Sequence, residues 1–359
     1  MFEDLRSKKL RKISILVMVP AVVFLFIGSF IYSGYKGSMG KVVLNTPPES
    51  SKSTSADSME FPFYELTVPY LRERTYESRL GDLEEYSSTT EYKSYLTSFT
   101  SDSFKVNGLL TVPEGDMPER GWPAVVFVHG YIPPSTYITT EKYIAYVDYL
   151  ARNGFVVFKI DLRGHGDSEG DPSGAYYSSD YIIDTLSAYS ALQSSDFVNP
   201  EKVGLWGHSM AGNIVFRSFV VKKDIPAVVI WAGAVYTYSD IAEFHINDNS
   251  YRPPSDFPNR VRSRELLREI YGEFDPENDF WKQIVPTNYL DGVTGAIEIH
   301  HAKDDDVVNI GYSRNVMEVL DNTSIPHELF EYTFGGHNIT GSSFNKAMER
   351  TVEFYNERL

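Results

Sequence analysis

VGLWGHSMAG, Val203 to Gly212, runs from a short apolar stretch through Gly207-His208-Ser209-Met210-Ala211 into a helical pattern. A serine carried on so sharp a strand-to-helix turn must adopt a strained backbone, and the residues two before and two after it must be small to avoid collision. Gly207 and Ala211 meet that requirement, and Gly212 follows. A helix starting at Met210 aims its first N–H groups and the positive end of its dipole at the place where negative charge would develop beside Ser209. Taken alone, the string also fits a plain turn with a serine N-cap. The segments on either side decide between the two readings.

Upstream, AVVFVHGY (Ala124–Tyr131) is an apolar strand ending in His129-Gly130. The loop after such a strand is placed to bring a second backbone donor toward the same point, so the N–H of Tyr131 is the expected partner of the Met210 N–H, with His129 as a structural hydrogen-bonder. Downstream, IEIHHAKDDDVVN (Ile297–Asn309) reads as a strand, an acidic turn and a valine pair. A buried carboxylate there would hold an imidazole in one tautomer. Asp305, three residues before Val308, is the expected acid, with Asp304 and Asp306 solvated. A Ca²⁺ loop competes, but the acids are adjacent rather than alternating and no Gly-plus-Glu pattern follows. EYTFGGHNI (Glu331–Ile339) sets His337 on a glycine turn after a strand, as a mobile general base requires. Of the chain's eight histidines, only His337 is both C-terminal to the acid and on such a turn.

Around these motifs, short β-branched or aromatic runs alternate with helical stretches. Tyr95–Thr100 and Phe104–Val112 open the series, followed by Ala124–Val128, Phe155–Ile160, Val203–Trp206, Ala227–Ile230, Ala296–His300 and His327–Tyr332. Uninterrupted runs such as AVVFV are what strands covered on both faces look like. The alternation predicts an α/β fold with a mostly parallel eight-stranded sheet and helices on both faces. One connection is too long to be a plain crossover. A small lid insertion is expected over about residues 238–290, including a charged helix near Ser263–Tyr271 and the aromatics Phe274, Phe280 and Trp281. DLRGHGDSEG (Asp161–Gly170) reads as a scaffold turn in which Arg163 and His165 are structural.

The first sixty residues differ in kind. Ile13–Ile31 is nearly unbroken apolar sequence, and a helix of nineteen residues spans roughly 28 Å, close to the hydrocarbon thickness of a bilayer. Arg6, Lys8, Lys9, Arg11 and Lys12 precede it. The expectation is a cytoplasmic basic segment (1–12), a transmembrane signal anchor (13–32), a Ser/Pro-rich stalk (33–60) and an extracytoplasmic domain (61–359), giving a single-pass protein of the cell membrane. A cleavable signal peptide is the alternative, although no A-x-A-like site follows the run.

A net charge of −16 and a pI near 5.0 argue against a nucleic-acid partner, because a phosphate backbone is held by clustered Lys and Arg and no such cluster occurs beyond the N-terminus. The absence of cysteine excludes disulfides, thiolate metal sites and cysteine catalysis.

HGY, DLRGHGDSEG, GHSMAG, DDDVV and GGH together make roughly Tyr95–Leu359 resemble the α/β-hydrolase superfamily, whose chain order is serine, acid, histidine. Within it the chain is similar to the catalytic domain of the prolyl oligopeptidase family and to related bacterial esterases. The resemblance implies a serine hydrolase without metal or cofactor, in which Ser209, Asp305 and His337 act on a small ester or peptide substrate through an acyl-enzyme. Serine-type peptidase and carboxylesterase or lipase-like esterase both remain open. A non-catalytic binding module is the reading from another class. Prolyl oligopeptidases also carry an N-terminal propeller, for which the roughly 35 residues between stalk and first core strand leave no room.

Overall fold

Two of the apolar runs of the sequence become neighbouring central strands. In the computed structural model, which describes residues 62–246 and 258–359, Ala124–Val128 and Val156–Ile160 pair in parallel with every one of these residues fully buried. Burying a Val, Ile or Phe side chain contributes about 1.5–3 kcal/mol, so such runs fix the centre of a domain. The described residues fall within one compact unit, Met59–Leu359.

The strands are β1 (Glu84–Ser88), β2 (Tyr92–Ser101), β3 (Phe104–Pro113), β4 (Trp122–Val128), β5 (Val156–Ile160), β6 (Val198–His208), β7 (Ala227–Trp231), β8 (Ala296–Ala302) and β9 (His327–Tyr332). They form one sheet in the order β1-β2-β3-β5-β4-β6-β7-β8-β9. The first three pair antiparallel, β3 meets β5 antiparallel, and all pairs from β5 to β9 are parallel. The sheet has nine strands among the described residues, not eight. The addition is β1, all five of whose residues are exposed, so it carries no apolar periodicity for sequence reasoning to find.

Strand alternation sorts side chains onto two covered faces. Val126, Val128, Leu205 and Ile230 pack in one core cluster with α3 (Asp180–Gln193) and α4 (Met210–Val221). Val125, Phe127, Trp206 and Trp231 pack in the other with α2 (Ile144–Arg152) and α9 (Ser342–Arg358). A short α1 (Val68–Glu73) precedes the sheet, and α8 (Gly311–Leu320) links β8 to β9. Helix α2 starts directly after Tyr143, which sits in the left-handed region at φ 61°.

The connection from β7 to β8 carries α5 (Asp240–Phe244), α6 (Pro258–Tyr271) and α7 (Asp279–Ile284). Helix α7 is part of the body: Phe280 and Trp281 are buried in the first core cluster, with Phe280 stacked on Tyr271 at 3.8 Å. Among the described residues no helix is long and apolar enough to cross a membrane. The anchor and stalk expected over 13–60 lie outside the described residues.

Candidate active site

The chain order reverses at β4, which has β5 on one side and β6 on the other. Loops leaving the carboxyl ends of strands at such a switch point diverge and open a crevice between them. Here those loops are His129–Tyr131 after β4 and Ser209 after β6.

Ser209 has φ 56° and ψ −118°, a conformation that costs a non-glycine residue about 1–3 kcal/mol. The neighbours explain how the turn closes. A Cβ on Gly207 would stand 2.7 Å from the Ala211 carbonyl oxygen, and one on Gly212 would stand 2.6 Å from Gly233 Cα. Small residues at these positions let α4 start directly under the serine. The Ser209 N–H donates to the Trp231 carbonyl at 2.9 Å, which holds the elbow to β7. Met210 is the first residue of α4, where N–H groups have no carbonyl one turn back.

The structure brings the three residues singled out by sequence into one line. His337 Nε2 lies 2.9 Å from Ser209 Oγ, and His337 Nδ1 lies 2.8 Å from Asp305 Oδ2. An ionised carboxylate can only accept, so Nδ1 carries the proton and Nε2 accepts from the serine hydroxyl. The Asp305 side chain is fully buried. Burial alone would raise its pKa, but hydrogen bonds from His301 and His337, the charge of His337 and the Val308 N–H hold it well below the usual carboxylate range. The Val307 N–H adds a further bond to Oδ1 at 2.9 Å.

Three residues outside the expected set complete the arrangement. Asp304, expected to be merely solvated, accepts the Gly336 N–H at 2.8 Å and the Gly335 N–H at 3.3 Å. It is exposed yet pins the histidine loop, because the GG turn leaves two N–H groups without an internal acceptor. His301, read as a strand residue, lies fully buried on β8 with Nε2 3.2 Å from Asp305 Oδ2. His208 has Nε2 2.9 Å from the His337 carbonyl oxygen. Only its place beside the serine could have flagged it.

Other residues stand where the sequence put them. Arg163 is buried and bonds Asp184 at 2.7 Å, and His129 sits between the Gly130 and Asp161 carbonyls, its Nδ1 2.7 Å from the first and its Nε2 3.0 Å from the second. His300 is sealed between Glu298 and Tyr332. Among the described residues no three His, Asp or Glu side chains group to hold a metal ion.

Ser209 and His337 open onto a cavity of about 1630 Å³, with Tyr131 and Met210 also in its wall. Ile241, His245 and Ile246 at and beyond α5, and Glu265 and Arg268 of α6, line the same cavity. The expected cover over the sheet end is therefore divided, with α5 and α6 facing the cavity and α7 packed into the core.

A nine-stranded, mostly parallel sheet, a strained serine elbow at its switch point and the order serine, acid, histidine define the class: the described residues have the α/β-hydrolase fold. The model of the family described as serine aminopeptidase, S33, matches residues 122–247, from β4 through the elbow to the end of α5. The thiohydrolase aneE of Aspergillus aculeatus is 30% identical over 141 residues, 39% of this chain and 42% of that protein. The chain thus spans well under two thirds of that relative's length. In structure it is similar to dipeptidyl peptidase 4 of Porphyromonas gingivalis (TM-score 0.57, 20% identity, 75% of this chain and 36% of that one). It is also similar to acetyl xylan esterase 1 of Thermoanaerobacterium (TM-score 0.55, 18% identity, 80% of this chain and 91% of that one). At such identities the likeness is one of fold.

Proposed function

We propose that this protein is a serine hydrolase that cleaves ester or peptide bonds through Ser209, His337 and Asp305. The observation that carries the reading is the line of contacts Ser209 Oγ to His337 Nε2, 2.9 Å, and His337 Nδ1 to Asp305 Oδ2, 2.8 Å, at the wall of a large cavity. As Ser209 Oγ attacks the substrate carbonyl carbon, its proton passes to His337 Nε2. Asp305 keeps the ring in the required tautomer and stabilises the imidazolium. The oxyanion is met by the N–H groups of Met210 and Tyr131, each such donor supporting about 3–4 kcal/mol of transition-state stabilisation. Collapse breaks the scissile bond, the imidazolium returns its proton to the leaving alkoxide or amine, and water repeats the sequence on the acyl-enzyme.

Peptidase and esterase neighbours support the two substrate classes alike. Short acyl p-nitrophenyl esters assayed beside peptide anilides separate them. In either assay Ser209→Ala lowers turnover on the order of 10⁴-fold or more and abolishes labelling by a fluorophosphonate. A variant that keeps the wild-type rate overturns the assignment and leaves a binding module in its place.

A further inference from the structure

His208 and Tyr143 serve no part of the mechanism just described, yet they stand between its components. His208 is 2% exposed. Its Nδ1 lies 2.7 Å from Tyr143 Oη, and its Nε2 lies 2.9 Å from the carbonyl oxygen of His337. Tyr143 Oη in turn accepts the Gly130 N–H at 3.0 Å. Burial, followed by the neighbouring charge of His337, lowers the His208 pKa to about 3. The ring is therefore neutral, with one donor and one acceptor nitrogen. A carbonyl can only accept, so Nε2 holds the proton and Nδ1 takes the tyrosine hydroxyl. The direction of every bond is fixed: Gly130 N–H to Tyr143 Oη, Tyr143 O–H to His208 Nδ1, His208 Nε2–H to His337 C=O.

We infer that Tyr143 and His208 are positioning residues that tie the loop after β4, the serine elbow and the histidine loop into one hydrogen-bonded unit, setting His337 and the Tyr131 N–H relative to Ser209. Further observations support this. Gly130 donates its N–H to Tyr143 Oη at 3.0 Å, and His129 Nδ1 lies against its C=O at 2.7 Å. The Gly130 C=O and the Tyr131 N–H belong to one planar peptide, so fixing the first aims the second. A Cβ on Gly130 would meet Tyr143 Oη at 2.8 Å and His208 Nδ1 at 3.1 Å, so only glycine lets the three elements approach this closely. Finally, Tyr143 is held at φ 61°, a strained setting for an aromatic residue and one that presents its hydroxyl to the other two loops. His208 and His337 rings stand 4.7 Å apart, so a shift in one is felt by the other.

The inference rests on the hydrolase reading, and its test separates the two. Tyr143→Phe removes one hydroxyl and keeps the ring. His208→Gln keeps a donor near the Nε2 position, and His208→Leu removes both partners. In the full chain, with folding followed by thermal melt, Tyr143→Phe and His208→Leu lower kcat about ten- to a hundredfold with KM within about threefold, and His208→Gln recovers part of the loss. Independently of turnover, the low-field proton resonance of His337 Nδ1–H, assigned by its disappearance in His337→Ala, broadens in Tyr143→Phe and His208→Leu. That resonance reports where His337 sits even if no substrate is cleaved, so a wild type without activity sinks the hydrolase reading and leaves this one standing or falling on the spectrum. An unchanged resonance in folded Tyr143→Phe and His208→Leu overturns the inference. So does a kcat loss that merely follows the folded fraction.

Discussion

Asp304 and Asp305 are neighbours in the chain and hold different things. Asp305 takes the imidazole and three other donors in a fully buried pocket, and Asp304, at the surface, takes two backbone N–H groups of the loop on which that imidazole rides. In Asp305→Asn the amide can occupy the same space but offers a donor where the ring needs an acceptor, so the tautomer inverts. The expected outcome is a fall in kcat on the order of 10³–10⁴-fold beyond any loss of folded protein, together with a lower melting temperature because the amide faces donors that the carboxylate accepted, read from ester hydrolysis and a thermal melt on the same sample. A loss of less than tenfold would mean that the carboxylate is not the group that orients His337. The residue types of this site were open to sequence reasoning because serine, acid and histidine each sit in a local pattern with a mechanical reason. Asp304, His208 and Tyr143 were not, since what they bond is backbone or another side chain far along the chain, and no local pattern encodes that.

At the scale of elements, the loop after β4 is held from below by the end of β5. Lys159, fully buried on β5, donates to the Thr139 carbonyl at 2.5 Å and to Tyr137 Oη at 3.2 Å, and Asp161 accepts from Tyr137 Oη at 2.8 Å and Thr139 Oγ1 at 2.6 Å. Burial lowers the Lys159 pKa to about 8, with Asp161 opposing the shift. Between that value and the ordinary value near 10.5, the unfolded chain binds more protons at this group than the folded one. The Lys159 contribution to stability therefore rises as pH increases through this window, by about 3 kcal/mol at most. Denaturant unfolding of wild type and Lys159→Met at pH 7 and pH 10 tests it. The wild type gains relative to the variant on going alkaline, and parallel profiles would show that the fold holds the Lys159 ammonium as well as water does, so that burial does not lower its pKa. Nothing in the run FVVFKID marks its lysine as buried, because long basic side chains at strand ends usually reach solvent.

For the molecule as a whole, fold class follows from the alternation of fully apolar runs with helical stretches, which is a property of two-sided burial and so visible residue by residue. Sheet order, the ninth strand and the division of the long insert between core and cavity depend on which surfaces meet, and Phe280 or Trp281 carry the same apolar signal whether they cover a cavity or fill a core. The elbow at Ser209 has a cost for the whole domain. Its φ is positive in the folded chain, so every folded molecule bears the strain and the unfolded chain escapes it. Glycine at that position would relax the bend, and the roughly 1–3 kcal/mol released exceeds the at most about 1 kcal/mol that extra backbone freedom gives the unfolded chain. Ser209→Gly is therefore expected to melt a few degrees above the wild type by calorimetry, and a lower midpoint would place the strain elsewhere. Resistance to heat and possession of the hydroxyl pull against each other at this single position.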